Sequence, residues 1–403
     1  MIELMIIILQ LVLFLLLGFL AIPVFVLLLQ VIASIFVRKQ IYSVSTLDNS
    51  RINNSSVAVI IPAHNESTGI VATVQSILPQ LKNQDQLIVV ADNCTDDTAT
   101  IATQLGAIAI CRENKQLRGK SYALDFGLQF LRDNPPQVVI IIDADCTISD
   151  NGISTLAEAC ISYQRPVQAL DLMLAPPNAS LKTKIAQFAW VVKNQVRPLG
   201  FKKLSLPCQL MGTGMAFLWD DIAQMQLANG HIAEDLKLGI DLCTAQKPPL
   251  FIPNVCVKSF FPTTQEAVNS QRARWEHGHL GMILAEAPKL FLQAIKSKNL
   301  QMLGLAFDLI VPPLAVLVLL CSIMLVVSFL IHQIIAIDLV LMCAGLLFVT
   351  LIGAILIAWV FFGRDIINFK QLCYAPIYAL SKIPLYIKFF VNRQVEWVRS
   401  KRD

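Results

Sequence analysis

The residues with the plainest chemical potential are Asp143 and Asp145, which close the run VVIIIDADC at 138–146. Five β-branched residues in succession predict a buried strand, and residues i and i+2 of a strand point to one side. The two carboxylates would then stand together at the strand's C-terminal end, repelling each other unless a cation lies between them. A divalent Mg2+ or Mn2+ suits the pair, because both prefer oxygen ligands and bridge carboxylates to substrate phosphates. Asp-x-Asp alone is common in solvated loops. Its weight here comes from the apolar strand before it and from the acids that accompany it.

Those companions follow from the elements around them. VAVIIPAHN (57–65), QLIVVADN (86–93), AIAIC (107–111) and VVIIIDADC are short apolar runs of the type buried on both faces of a parallel sheet. Helical patterns separate them: STGIVATVQSILPQL, TDDTATIATQLGA and GKSYALDFGLQFLRDN carry apolar residues at three- and four-residue spacing, and DNCTDD offers capping side chains. This alternation predicts an α/β fold with a doubly wound, mainly parallel sheet, whose ligand crevice lies at the carboxyl ends of the strands. Three of the four predicted strand ends bring acids to that crevice: Glu66 beside Asn65, Asp92 beside Asn93, and the 143/145 pair.

Composition adds a membrane. Only 15% of the 403 residues are charged and the mean hydropathy is +0.62, too apolar for a purely soluble chain. The excess is concentrated in uncharged runs at 5–37, 309–337 and 339–362, each long enough to span a hydrocarbon core. Residues 1–37 lack a basic leader and carry Glu3, which fits a retained signal anchor rather than a cleaved signal, with Pro23 bending or tilting a single helix. Arg38 and Lys39 follow the first run, and Arg364 and Lys370 the last. By the positive-inside rule the middle segment and the C-terminus are expected in the cytoplasm and the N-terminus outside, as in a multi-pass protein of the inner (cytoplasmic) membrane.

The expected organisation is an anchor at 1–37, a Ser- and Asn-rich linker at 38–56, the α/β domain at 57–262, an amphipathic interfacial helix at 263–300, two spans within 303–362 and a basic amphipathic tail at 363–403. The tail sets Lys382, Lys388, Arg393, Arg399, Lys401 and Arg402 among aromatic residues, a pattern for an anionic leaflet rather than for nucleic acid. None of the ten cysteines falls in a Cys-x-x-Cys spacing, so they read as buried cytosolic thiols.

VIIPAHNE, VVADNCTDDT, RGKSYALDFGL, IIDADC, MGTGMAF, EDLKLGIDL and QRARW, in this order, resemble the inverting family 2 glycosyltransferases of GT-A fold, over about residues 57–280. That group includes cellulose, chitin and hyaluronan synthases and bacterial exopolysaccharide transferases. The resemblance implies that Pro62, Ala63, Glu66 and Asp92 bound the nucleotide pocket, that Lys120 lies near the nucleotide, and that Asp143 and Asp145 hold the metal and the ribose side of the sugar nucleotide. It implies an acidic pair, Glu234 and Asp235, with Asp235 as base, and an acceptor and diphosphate region at Gly212, Gly214, Gln271, Arg274 and Trp275. Each role has a plainer rival. Glu234 and Asp235 would also suit the first turn of a helix, Arg274 could pair with Glu276 or Asp241, Trp275 could anchor at a membrane interface, and the glycines could simply turn the chain. His64, His277 and His279 invite a metal reading, but no acidic partner accompanies the last two at ligand spacing apart from Glu276, and they read as polar residues on an interfacial helix whose apolar face meets lipid.

The implied function is transfer of a sugar from a nucleotide-sugar donor, a UDP-sugar on this reading, to a membrane-associated acceptor in polysaccharide synthesis. The acceptor would be lipid-linked or a polysaccharide, and other polysaccharide-assembly proteins could be partners. A processive synthase is the rival within enzymes, although three spans offer few helices for a polymer channel. A non-catalytic membrane scaffold is the rival of another class, and the retained aspartates speak against it.

Overall fold

The structure is a computed structural model, and it describes residues 1–37, 55–228 and 230–391. Most of the expected linker (38–54), with Arg38 and Lys39, lies outside the described residues. So does the end of the tail, with Arg393, Trp397, Arg399, Lys401 and Arg402.

Eight strands form one sheet: β1 Val57–Ala63, β2 Gln86–Asp92, β3 Ile108–Arg112, β4 Val138–Ile141, β5 Thr147–Ile148, β6 Val167–Leu174, β7 Met215–Leu218 and β8 Leu250–Phe260. They lie in the order β3-β2-β1-β4-β7-β6-β8-β5. The pairs β3/β2, β2/β1, β1/β4 and β6/β8 are parallel, whereas β7 runs antiparallel to both its neighbours and β5 antiparallel to β8. The half that carries the strand ends of β1, β2 and β4 is therefore the doubly wound half. Alternation within β1 divides the two cores: Val57, Val59 and Ile61 face one, Ala58 and Ile60 the other. β3 departs from the expectation of a strand buried on both faces. It ends the sheet order, and Ile108 and Cys111 are exposed, as befits an edge.

The helices are α1 Ile2–Ile35, α2 Ile70–Ile77, α3 Thr98–Gln104, α4 Lys120–Leu131, α5 Gly152–Tyr163, α6 Leu181–Val191, α7 Arg197–Lys203, α8 Trp219–Ile222, α9 Glu234–Thr244, α10 Gln265–Ser297, α11 Leu300–Leu309, α12 Leu314–Ile335, α13 Asp338–Ala358, and the short α14 Phe369–Leu372, α15 Ala375–Leu380 and α16 Ile383–Val391. A π-helical turn, Val192–Val196, joins α6 to α7. Among the described residues three helical stretches are long and apolar enough to cross a membrane: Glu3–Ile35, Leu314–Ile335 and Asp338–Gly363. Pro23 lies inside α1 without interrupting it. The expected span segment beginning at 303 needs correction. Pro312 and Pro313 cannot continue a helix, so residues 300–309 form the separate α11, whose Met302, Leu305 and Leu309 pack on α9 and α10.

α10 also packs differently from expectation. Its Met282, Ala287, Leu290 and Ala294 are buried in a cluster with Leu236 and Ile240 of α9 and with α11, so this apolar face meets protein, while Leu284, Leu292 and Ile295 are exposed. His277 and His279 are buried; each donates an Nε2–H, to the Leu385 and Leu309 carbonyls respectively. Lys382, assigned to the leaflet by the sequence, instead pairs with Glu276, which also accepts from the Tyr386 hydroxyl at 2.6 Å. Once that corner is packed and desolvated, the ammonium and carboxylate attract more strongly than in water, and the Tyr386 hydroxyl satisfies the second oxygen. Lys388, Ile387 and Phe390 remain exposed on α16.

The first span is built into the catalytic half. Gln30 of α1 donates to Asp308 Oδ1 at 2.6 Å, and Arg197 of α7 donates to the same oxygen at 2.8 Å and to the Asp308 carbonyl at 2.6 Å. All three residues are buried, so losing one partner would leave the others desolvated and unpaired. Close approach of α1 to α7 depends on Gly200: a Cβ there would sit 2.0 Å from the Gln30 carbonyl oxygen. Gly200→Val should therefore cost about 1–3 kcal/mol by overpacking and lower the thermal unfolding midpoint of the detergent-purified protein. Gly345→Ala, where nothing lies within 4 Å of an added Cβ, should leave that midpoint unchanged.

Candidate active site

β4 ends at Ile141, before either aspartate, so Asp143 and Asp145 lie on the turn between β4 and β5 rather than on a strand. The turn nevertheless brings them together. Ligand atoms of Asp143, Asp145 and Cys146 all lie within 4.8 Å of one another. Cys146 is buried, and desolvation, reinforced by the Asp145 and Asp143 charges, raises its thiol well above the ordinary value. It stays protonated and its S–H donates to Asp145 Oδ1 at 3.7 Å. The turn is fixed from outside: the Asp143 amide donates to Thr213 Oγ1 at 3.1 Å, and Thr73 Oγ1 donates to the Ala144 carbonyl at 2.8 Å.

The β1 and β2 ends form the wall beside it. Asn65 and Asn93 both adopt left-handed φ, 54° and 52°, which Asn tolerates better than most residues. The Glu66 amide donates to Thr98 Oγ1 at 2.8 Å, and Asp96 accepts from the amides of Ser67 and Thr98 at 3.1 Å each. Thus Asp96, rather than the N-cap residue Asp97, supplies the cap expected of DNCTDD, and it ties two strand-end loops together. Pro62 and Glu66 are half-buried and Ala63 is buried. Asp92 is buried and held by Arg112 at 2.6 Å, an ion pair that sequence reading missed. Its signal was positional: Arg112 closes the neighbouring strand in register with Asp92. Arg112 also donates to the Leu117 carbonyl and lies over the Tyr122 ring, 5.6 Å from its centroid.

Across the crevice, Lys120 begins α4 and lies 2.5 Å from Asp143 Oδ1 while donating to the Gly212 carbonyl at 2.8 Å. Desolvation opposes its charge, but the carboxylates of Asp143, Glu234 and Asp235 outweigh that and hold its pKa above the ordinary value. The two glycines of MGTGMAF separate in role. A Cβ on Gly212 would face Lys120 Nζ and Asp235 Oδ2 at 3.4 and 3.6 Å, so this glycine borders the site. A Cβ on Gly214 would strike Ala169 and Val257 at 2.8 Å, so what Gly214 shows is close packing against the sheet. Buried Gln168 holds the loop, accepting from the Met211 amide and donating to the Thr213 carbonyl, both at 2.8 Å.

Glu234 and Asp235 occupy the first turn of α9, and Asp235 Oδ1 accepts from the Leu236 amide at 2.8 Å. The helix reading is thus part of the answer. Their surroundings supply the rest: desolvation raises both carboxyls, Glu234 to about 7, against the lowering charges of Lys120 on Glu234 and of Lys193 and Lys120 on Asp235. Lys193, on the π-helical turn, was not foreseen, nor was Asp171 of β6. Asp171 is buried, accepts from Asn194 Nδ2 at 2.9 Å, and is pushed up to about 8 by desolvation. A mid-helix π turn is the one local irregularity that marks Lys193, since such turns concentrate at functional sites.

α10 brings the QRARW segment alongside. Gln271 is 1% exposed, and neither of its amide atoms has a hydrogen-bond partner among the described residues. A buried amide in that condition is costly unless a polar ligand group or water pairs with it. The Arg274 charge acts on Glu234, lowering its carboxyl. The rival partners considered for Arg274 are engaged elsewhere, Glu276 with Lys382 and Asp241 with Lys237. Trp275 is half-buried against Trp190, ring centroids 4.9 Å apart. His64 donates its Nδ1–H to the Asp92 carbonyl at 2.6 Å, which is a structural use of that side chain.

Comparison with known proteins gives the arrangement a family. The profile of Glycosyl transferase family 2 matches residues 58–168, and that of Glycosyl transferase family group 2 matches residues 138–362, more than half of the chain. The chain belongs to the family 2 glycosyltransferases. The chain is 27% identical over 279 residues to the probable glycosyltransferase YdaM of Bacillus subtilis (strain 168), covering 63% of this chain and 60% of that relative's length. It shares the GT-A fold with the mannosyltransferase PcManGT of Pyrobaculum calidifontis, solved with GDP-Man and Mn2+, at a TM-score of 0.51 and 12% identity over 93% of this chain and all of that one. The glucosyl-3-phosphoglycerate synthase of Mycobacterium tuberculosis is also similar, at a TM-score of 0.35 and 18% identity, over 52% of this chain and 75% of that one.

The Asp92–Arg112 pair can be tested apart from catalysis. Arg112→Met leaves a buried carboxylate unpaired and should destabilise the protein by about 3–5 kcal/mol, read as a lower unfolding temperature in detergent. Adding Asp92→Asn removes the orphaned charge and should recover part of that loss. A double variant no more stable than Arg112→Met alone would show that the guanidinium acts by packing.

Proposed function

We propose that this glycosyltransferase moves a sugar from a nucleotide-sugar donor, with inversion, to an acceptor held at the membrane, working on the cytoplasmic face in the assembly of a cell-envelope polysaccharide. The observation that carries the reading is the meeting of the 143/145 turn, Lys120 and the Glu234/Asp235 pair, with the Arg274 charge acting on Glu234. Basic residues following the apolar stretches in sequence (Arg38, Lys39, Arg364 and Lys370), and helices that join those stretches to the α/β domain, support the placement at the membrane. The similar structure solved with GDP-Man leaves the base of the donor open to either uridine or guanosine.

The donor set fits a divalent cation. Two carboxylates on one turn, with Lys120 Nζ already drawn to Asp143 and a protonated thiol beside them, make a hard-oxygen site rather than a thiolate one. A bound Mg2+ or Mn2+ would supply positive charge to the donor diphosphate. The chain's own residues do the remainder. Asp235 accepts the proton of the acceptor hydroxyl while the hydroxyl oxygen bonds to the anomeric carbon from the face opposite the diphosphate. The anomeric C–O bond breaks, and its electron pair leaves with the nucleotide diphosphate. Lys120 and Arg274 are placed to stabilise charge that grows on the leaving group, the kind of preorganised field that lowers such barriers most. Desolvation at Asp235 strengthens it as a base, and the charges of Lys193 and Lys120 act in the opposite direction, favouring its ionised form. Gln271 offers its unpaired amide to the acceptor, and Trp275 offers a face to a sugar ring.

A screen of the detergent-purified protein against UDP- and GDP-sugars with Mn2+ or Mg2+ should find donor hydrolysis with one preferred donor. EDTA or Asp145→Asn should abolish it; turnover that survives saturating EDTA would sink the metal assignment.

Asp235→Asn should cut transfer by about 10²–10⁴ while leaving nucleotide affinity nearly intact. The base must be ionised, so the rate falls as pH drops through its pKa, and Lys193 lowers that pKa. Lys193→Met should therefore shift the acidic limb of the pH–rate profile to higher pH. An unmoved limb would assign the base elsewhere.

A further inference from the structure

A cavity of about 390 Å³ lies where the spans meet the catalytic half. Leu27 of α1, Val318 of α12 and Ile352 and Leu356 of α13 line one side, and all four belong to stretches apolar enough to cross a membrane. Trp190 and Trp275 line the other, so the same tryptophan that follows Gln271 and Arg274 in the site also closes this space.

The chemistry of the walls restricts what can fill it. A sugar or a chain of water needs several hydrogen-bond partners for each unit, and the span side offers only aliphatic surface. A hydrocarbon chain suits that side and gains about 0.8 kcal/mol for each methylene it buries. The charged lining is unbalanced in the opposite sense. Four cations, Lys193, Arg197, Arg272 and Lys382, share the lining with one carboxylate, Glu276. Arg197 is neutralised by Asp308 and Lys382 by Glu276. Among the described residues, two of these cations have no carboxylate in hydrogen-bond contact. Lys193 lies over the Trp190 ring, 5.3 Å from its centroid, and Arg272 lies over Tyr378 at 5.6 Å. Arg272 Nε and one terminal nitrogen are buried with no hydrogen-bond partner among the described residues. Guanidinium nitrogens in that state match a phosphate, which accepts two parallel N–H bonds.

We infer that this cavity binds a lipid phosphate, its single hydrocarbon chain among Leu27, Val318, Ile352 and Leu356 and its phosphate against Arg272 and Lys193, and that this lipid carries the acceptor. The inference rests on the transferase reading for the word acceptor; the binding itself does not. Lys193 joins the two sites, because it lines the cavity and its charge is also the strongest of those acting on Asp235. A phosphate seated there fixes how far the attached acceptor hydroxyl stands from the base.

The test uses the full chain in detergent, with farnesyl phosphate, farnesol and inorganic phosphate as probes, read by quenching of tryptophan fluorescence and by thermal stabilisation. Farnesyl phosphate should bind, farnesol should bind about tenfold or more weakly for want of the charge-assisted bonds, and inorganic phosphate should not register. Arg272→Gln should reduce farnesyl phosphate affinity to that of farnesol and leave farnesol unaffected. Ile352→Trp and, independently, Val318→Trp fill the apolar end; both should lose the two prenyl probes and transfer to a prenyl-linked acceptor while retaining donor hydrolysis, which also reports that each variant is folded. Equal binding of farnesyl phosphate and farnesol by the wild-type protein overturns the phosphate assignment and needs no variant. Binding of phosphatidylglycerol with no binding of farnesyl phosphate overturns the acceptor in favour of a structural lipid. Prenyl binding without hydrolysis of any nucleotide sugar would leave the cavity assignment standing and refute the transferase reading instead.

Discussion

Too many carboxylates share too little water at the carboxyl end of this sheet, and much of the surrounding architecture answers that constraint. Asp143, Asp145, Asp171, Glu234 and Asp235 gather around two lysines, Lys120 and Lys193. A desolvated group of that composition has three outlets: protonation, pairing with a side-chain cation, or capture of an external cation. All three are represented. Asp171 and Glu234 are pushed towards the neutral form, Lys120 is drawn onto Asp143, and the exposed side of the 143/145 turn suits a divalent ion. Such an imbalance suits a site that must handle a charged diphosphate, because perturbed carboxyls and unscreened charge concentrate where chemistry is done.

The membrane helices take part in that geometry as well as carrying the domain. Buried Gln30, Asp308 and Arg197 join α1, α11 and α7 through hydrogen bonds of 2.6–2.8 Å. Arg197 directly follows the π-helical turn that carries Lys193. α10 is fixed at the other end by Glu276 with Lys382 and Tyr386, and by His277 against the Leu385 carbonyl. Glu234, Asp235 and the QRARW segment are therefore clamped between elements that also define the span-side cavity. A change in how the long apolar helices pack has a short physical route to Asp235.

Much of the fold was legible because it follows from short-range patterning. The runs at 57–63, 86–92 and 138–141 became strands where the β-branched clusters stood, and the three apolar stretches became long helices. Errors arose where a local rule met a tertiary one. Alternation put Asp143 and Asp145 on a strand, but the chain turns after Ile141 and the pair converges through that turn. The two expected spans were taken to begin at 303, yet Pro312 and Pro313 cut α11 away from α12. Glycine spacing could not distinguish Gly212, which faces Lys120 and Asp235, from Gly214, whose neighbours Ala169 and Val257 come from β6 and β8.

By itself the sequence determined the α/β alternation, the apolar stretches and the identity of the acids, since each depends on residues adjacent in the chain. It could not determine what those acids experience. Lys193 lies 42 residues before Asp235, Arg112 lies 20 residues after Asp92, and Lys382 lies 106 residues after Glu276. The partners that set ionisation and orientation are remote in sequence because electrostatic and packing energies depend on distance in space. The same holds for the cavity, whose walls come from helices at opposite ends of the chain. Only the tertiary structure decided which charges were balanced and which were left for a ligand.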